Sequence, residues 1–318
     1  MIVTVTLNPA IDKVYWVQSL KICDITQEEF LTRAVRSSTS AGGKGVNISR
    51  ALSAFGMDNI AMGFVGGNMG HIVVRYLRRK GVTTNFTWIH GETRVNVTLL
   101  EKGREFSPNL IDEPGPEISK SEVTRFMRRY QRMLKQASWV VLGGSVPPGV
   151  DPEIYAEMTR MAREAGVKVV VSAGGDALHH AVAAGPTIVK PDTREHHLVE
   201  GMKLATTEQI IEAGRSVVAA GVEMVIISTH VTGDIAITPD AVWEIQGAVP
   251  TTRLRNLVGA DDAFLAGILF KTVRGEPIED ALRFGLAAGL ASAESEKKIC
   301  EDVAVVDAEM QDVSVKRI

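Results

Sequence analysis

Cysteine is almost missing from this chain: Cys23 and Cys300 are the two it has, and they lie far apart in sequence. That count and spacing argue against a disulfide framework and against a cysteine-built metal site. Long apolar runs are missing too, since none approaches the ~20 residues needed to span a bilayer. There is no basic excess either: 38 acidic residues outnumber 35 basic ones, for a net charge of −3. Nucleic acid and anionic membrane surfaces are therefore not expected partners. The basic cluster Arg75, Arg78, Arg79 and Lys80 has only Tyr76 beside it and reads as a solvated helix face. His179-His180 and His196-His197 are doublets without the spaced partners a zinc site needs. Residues 1–7 carry no basic leader and meet Asn8, Pro9 and Asp12 at once, so a strand is expected there rather than a signal peptide. A soluble, cytoplasmic protein is the expectation.

What the chain does contain is globular composition: 318 residues, 45% hydrophobic and 23% charged. That suits one large α/β domain over residues 1–318. Residues 2–7 are mostly apolar and β-branched and stop at Asn8-Pro9, which predicts a buried strand. Residues 13–38 carry Tyr15, Trp16, Val17, Phe30, Leu31 and Val35 without helical spacing, and residues 86–110 predict two more strands around Gly91. These two segments are expected to form a small β lid. From about residue 120 the pattern becomes regular, with strands predicted at 139–142, 167–171, 187–189 and 224–228 among helices at 152–165 and 207–220. Such alternation implies a mostly parallel sheet with helices on both faces.

Ligands of such sheets bind beyond the carboxyl ends of the strands. Polar residues gather there: Asn8 and Asp12, Gly143-Gly144-Ser145, Lys190-Pro191-Asp192, and Ser228. The loop Gly42-Gly43-Lys44-Gly45 lets backbone approach an anion, and Lys44 adds a point charge. It has neither P-loop nor dinucleotide-fingerprint spacing, and a plain tight turn before a helix fits it equally well. Further on, Gly259-Ala260-Asp261-Asp262 leads into Phe264, Leu265, Ile268 and Leu269 at helical spacing. A helix starting there offers its first N–H groups and its dipole to an anion. A carboxylate beside it suits a general base in phosphoryl transfer. Taken alone, the stretch also fits an ordinary helix capped by Asp261 or Asp262.

In order along the chain stand Asn8-Pro9-Ala10-Ile11-Asp12, Gly42-Gly43-Lys44-Gly45-Val46-Asn47, Thr93-Arg94-Val95-Asn96-Val97 and Pro114-Gly115-Pro116. They are followed by Gly144-Ser145-Val146-Pro147-Pro148-Gly149, Lys190-Pro191-Asp192-Thr193-Arg194-Glu195 and Gly259-Ala260-Asp261-Asp262. Together these seven motifs resemble the PfkB (ribokinase-like) carbohydrate kinases over roughly residues 1–295. The first and third look most like the branch that contains 1-phosphofructokinase and tagatose-6-phosphate kinase.

The resemblance implies a three-layer ribokinase-like fold with lid segments at about 13–38 and 86–110, and ATP-dependent phosphorylation of a ketohexose phosphate. Asp262 would be the base, with the backbone of Gly259, Ala260 and Asp261 forming an anion hole. Asn8, Asp12, Gly42, Gly43, Asn47 and Ser145 would hold the sugar, and Lys44 and Arg94 its existing phosphate. Lys190, Asp192, Ser228 and Gly233 would line the ATP side, and Glu195 would position Mg2+. A homodimer through the lid is implied as well.

The nucleotide side departs from the family pattern. Asp261 stands in place of the second glycine, the third position, of Gly-Ala-Gly-Asp, adding a carboxylate where glycine geometry and a bound phosphate are expected. Asp192 replaces the usual Asn, His230 a glycine of the strand-end turn, and Ser172-Ala173-Gly174-Gly175 the usual Asp-Thr-Ser-Gly. These departures motivate an alternative, a phosphosugar-binding pseudokinase.

Overall fold

In the computed structural model, which describes every residue except 22–30, 105–107, 194–197, 200, 231 and 297, β1 (Ile2–Thr6) is buried throughout. After it come β2 (Ala10–Val17), β3 (Ala34–Gly42), α1 (Lys44–Ala54), β4 (Asn59–Gly66) and α2 (Gly67–Arg79). Two short strands, β5 (Thr83–Thr84) and β6 (Thr87–Ile89), precede β7 (Arg94–Glu101) and β8 (Asn109–Ile111). The alternating part runs through α3 (Lys120–Leu134), β9 (Trp139–Gly143), α4 (Ile154–Glu164), β10 (Lys168–Ser172), α5 (Gly175–Ala183) and β11 (Ile188–Val189). A ribbon of β12 (Leu198–Val199) and β13 (Met202–Lys203) leads to α6 (Thr207–Ala219), β14 (Met224–His230), β15 (Gly233–Ile237) and β16 (Val242–Gly247). Last come α7 (Ala260–Val273), α8 (Ile278–Glu294), α9 (Val303–Glu309) and β17 (Val313–Arg317).

Among the described residues the main sheet has eleven strands in the order β17-β16-β15-β14-β11-β10-β9-β1-β4-β5, with β6 also paired to β4. β1 lies between β4 and β9 and is parallel to both, with Ile2 opposite Asn59 and Trp139. Parallelism continues through β10, β11 and β14, then gives way to an antiparallel edge of β15, β16 and β17. That edge was not anticipated from sequence.

The two-residue period of β9 sorts the helices onto opposite faces. Trp139 and Val141 point to one side, where Ile48, Phe55, Phe264, Phe270 and Phe284 from α1, α7 and α8 cover them. Val140 and Leu142 point to the other, under Phe126, Tyr155, Leu178 and Val217 from α3, α4, α5 and α6. Each of these large side chains contributes roughly 1.5–3 kcal/mol on leaving water. α7 is apolar nearly all round, with 262–270 buried, because α8 covers what the sheet does not. The helix start carrying Asp262 is thus held from several sides. No helix among the described residues is long and apolar enough to cross a membrane.

The lid is a separate four-stranded sheet in the order β3-β2-β7-β8. Two expectations need correction. Residues 87–89, placed in the lid by the 86–110 boundary, pair as β6 with β4 of the main sheet, so the lid contribution there begins at Arg94. Asp12 does not sit in a loop after the first strand but inside lid strand β2, because the chain resumes extended pairing at Ala10. Part of the 13–38 segment, residues 22–30, lies outside the described residues.

Candidate active site

Gly259 sets the start of α7. It adopts a left-handed backbone at φ 94, and a Cβ there would lie 2.6 Å from the Lys298 carbonyl oxygen. Only glycine tolerates both conditions. Asn256 Oδ1 accepts from the Val258 N–H at 3.0 Å and shapes the turn before it. The Ala263 N–H bonds the Gly259 carbonyl at 3.0 Å, so the amides of Asp261 and Asp262 lie ahead of the helical ladder. Asp261 is therefore ordinary helix, and the glycine geometry the sequence seemed to need there is supplied by Gly259 instead.

Asp262 is buried, and each of its oxygens faces a different group. Oδ2 accepts a 2.8 Å hydrogen bond from Asn47 Nδ2, in the first turn of α1. Oδ1 faces Lys44 Nζ at 3.9 Å. Lys44 opens α1, and its ammonium also lies 3.2 Å from Asp192 Oδ2. The sequence expectation paired Lys44 with Arg94. In the structure Lys44 keeps company with Asp262 and Asp192, on the nucleotide side of the expected site.

Asp261 points to Lys190. The Lys190 ammonium is enclosed by Asp234 Oδ1 at 2.7 Å, Ser228 Oγ at 2.8 Å and Asp261 Oδ1 at 3.3 Å. Burial alone would raise the Asp261 carboxyl, but the fields of Lys190 and then Lys44 prevail and hold it below the ordinary carboxylate value. Burial would likewise lower the Lys190 ammonium, and Asp234 and Asp261 outweigh it, so its pKa rises. The carboxylate that sequence reasoning treated as a source of repulsion thus has its own cation. Ser228 Oγ also donates to Asp234 Oδ1 at 2.8 Å, and Gly233 begins the strand that carries Asp234.

Of the residues expected to hold a sugar, Asp12 lies on the lid. Asp12 is opposite Ser40 on one neighbouring strand and Asn96 on the other. A Cβ on Gly42 would overlap the Asp12 carboxylate, so glycine there is what lets that side chain lie flat against β3. Asn8 donates from Nδ2 to the Pro114 carbonyl at 3.0 Å and to Ser145 Oγ at 3.2 Å, and its buried Oδ1 is left without a partner. Asn96 Oδ1 is a second buried acceptor in that position. Buried polar groups are normally bonded, so two unsatisfied acceptors near Asp12 suit hydroxyl donors from a ligand.

Arg94 donates from Nη1 to the Glu113 carbonyl at 2.7 Å and from Nε and Nη2 to the Asn8 carbonyl at 3.2 and 3.0 Å. Burial depresses its pKa against the fields of Asp112, Asp12 and Glu113. A two-pronged grip on a phosphate would require it to release some of these carbonyls. Gly43 caps α1 between Gly42 and Lys44. Glu195 falls outside the described residues, as does the side chain of His230.

Among the described residues no three metal-ligating side chains converge. The carboxylates of Asp192 and Asp261 are hard oxygen donors, with Asp261 48% exposed, and they fit a magnesium ion that keeps several waters and is otherwise held by nucleotide phosphates. The amides at the start of α7 and the ammonium of Lys44 fit those phosphates. Sequence reasoning missed Asn96, Asp234 and Lys298. Asn96 lies inside a recognised motif, whereas no local signal marks Asp234.

The sequence profile of the pfkB family carbohydrate kinases matches residues 6–301. A 1-phosphofructokinase from Bacillus subtilis (strain 168) is 33% identical over 297 residues, covering 93% of this chain and 94% of its own. A 1-phosphofructokinase from Borreliella burgdorferi is 31% identical, covering 92% of each chain. The crystal structure of a possible 1-phosphofructokinase from Thermotoga maritima superposes with a TM-score of 0.89 at 32% identity, over 100% of this chain and 99% of that one.

Proposed function

The chain belongs to the pfkB carbohydrate kinase family, and we propose that it transfers a phosphoryl group from ATP to the free primary hydroxyl of a ketohexose phosphate, with fructose 1-phosphate the first candidate. The observation that carries this reading is Asp262: a buried carboxylate at a helix start, with Asn47 on one oxygen and Lys44 facing the other. Asn47 fixes Oδ2, and Oδ1, on the side that faces Lys44, takes the proton of the acceptor hydroxyl. Lys44 and the first amides of α7 stabilise charge on the group in transit. Asp12, Asn8 and Asn96 accept hydrogen bonds from the sugar hydroxyls, and Arg94 holds Asn8 and Ser145 in register around them. Lys190, with Ser228 and Asp234, lines the nucleotide side. ATP supplies the phosphoryl group, and Mg2+ at Asp192 and Asp261 would neutralise its phosphates. Closure of the lid excludes water from the transfer.

The pseudokinase alternative is motivated by Asp261 and His230; the ion pair with Lys190 gives Asp261 a partner, and the His230 side chain lies outside the described residues. ADP release measured with fructose 1-phosphate, fructose 6-phosphate and tagatose 6-phosphate tests the reading. One of the three is expected to turn over, and Asp262→Asn is expected to lower its kcat by about 10²–10⁴-fold. Full activity in that variant would sink the mechanism.

A further inference from the structure

One loop touches both halves of the site. Residues 295, 296 and 298–300 follow α8, tied back by bonds from the Cys300 N–H to Ser292 Oγ at 2.9 Å and from the Ser295 N–H to the Ser292 carbonyl at 3.2 Å. The Lys298 carbonyl packs against Gly259, where even a methyl group would meet it at 2.6 Å. The Lys298 side chain runs the other way, into the lid. Its Nζ stands 2.6 Å from Asp12 Oδ2, and the two side chains are only 7% and 5% exposed. A second link, exposed at the rim, joins the same loop to the same lid: Arg36 Nη1 to Glu296 Oε2 at 2.6 Å.

A buried ion pair is a poor device for stability alone, because desolvation consumes most of the attraction. Its better use is to fix geometry. Asp12 lies flat against Gly42, and its Oδ2 is held by an ammonium whose own backbone rests on the turn that starts α7. The position of the lid carboxylate and that of the helix bearing Asp262 are therefore set by one residue.

We propose that Lys298 is a positioning residue of the sugar subsite: acting through Asp12, it orients the carboxylate for the acceptor's hydroxyls and ties the lid to the start of α7. The inference rests on the reading of Asp12 as a sugar ligand. Lys298→Gln removes the cation and frees the Asp12 carboxylate from its seat. KM for the phosphosugar is expected to rise about 10- to 100-fold, the worth of a charged hydrogen bond. KM for ATP stays within about twofold of wild type, and Lys298→Arg recovers most of the sugar affinity. In an Asp12→Asn background the Lys298 substitution adds little further loss, since both act on one interaction.

A merely structural lysine would move thermal stability and both KM values together, and that result overturns the proposal. Where the Gln variant does not accumulate, Lys298→Met, better suited to a buried position, is judged by the same two KM values. If the wild type turns over a phosphosugar while these variants keep its KM within twofold, this inference alone falls. If the wild type phosphorylates none of the three, the functional reading falls and takes this one with it.

Discussion

The base role proposed for Asp262 requires its two oxygens to see different surroundings, and a side chain of the first helix, 215 positions earlier, provides that difference. Its neighbour Asp261 shows how much a single residue depends on a partner distant in sequence. By motif comparison Asp261 is a misplaced charge; in the fold it is the third group around the buried Lys190 ammonium. Nothing adjacent to residue 261 or 190 could reveal this, since the partner carboxylate, Asp234, also stands outside every motif. Asp261→Gly is expected to leave Lys190 held by Asp234 and Ser228, and to raise KM for ATP a few-fold, because one of the two carboxylates proposed for the magnesium ion is lost. Steady-state kinetics with varied ATP decide it, and a lowered KM would show instead that Asp261 repels the phosphates. The pH consequence has a fixed sign: a carboxyl held below its ordinary value of 3.8 contributes stability above that pH and loses it as pH falls through the folded value. Asp261 therefore imposes no stability change near neutrality.

At the scale of elements, the alternating strands and helices after residue 120 were legible because burial on both sheet faces demands unbroken β-branched runs. What was not legible followed from pairing rather than pattern. β2 begins at Ala10 because it finds β3 and β7 as neighbours, β6 leaves the lid because β4 offers an open edge, and β15 and β16 turn antiparallel in short steps while β17 returns after α9 to pair with β16. The helices on the α3 side are fastened by two buried phenols. Tyr130 donates to the Met158 carbonyl at 2.9 Å, and Tyr155 to the carbonyls of Gly143 and Gly144 at 3.2 and 3.1 Å. Burial raises both phenols above their ordinary value of 10.0. Groups so raised contribute stability that is complete below that value and disappears as pH climbs through the folded one. Chemical unfolding midpoints are therefore expected to hold steady up to pH about 10 and then fall. Tyr155→Phe should flatten that fall by one proton, at a neutral-pH cost of about 0.5–1.5 kcal/mol. An unaltered alkaline slope in this variant would assign the effect elsewhere.

Over the whole molecule, the lid leaves apolar side chains uncovered at both of its edges: Val35 on β3, 65% exposed, and Leu110 and Ile111 on β8, the latter 59% exposed. A second copy of the chain is our proposed cover. Light scattering is expected to report a dimer for the wild type and a monomer for Val35→Glu combined with Ile111→Glu, and a monomeric wild type would refute the pairing. The larger assembly question concerns order in time. Asn8, Asp12, Lys44, Asn47, Arg94 and Ser145 all come from the first half of the chain, while Asp262 and Lys298 come from its last fifth. Phe55 on α1 waits on the same late segment, since its ring partners are Phe270 at 5.5 Å and Phe284 at 5.6 Å. A ribosome building this protein from its N-terminus therefore completes most of the sugar-holding residues early, leaves α1 without its aromatic cover, and delivers the proton acceptor near the end. A chain that stops before the last helices lacks both the proposed base and the lysine that seats Asp12, so activity is expected only once those helices are in place.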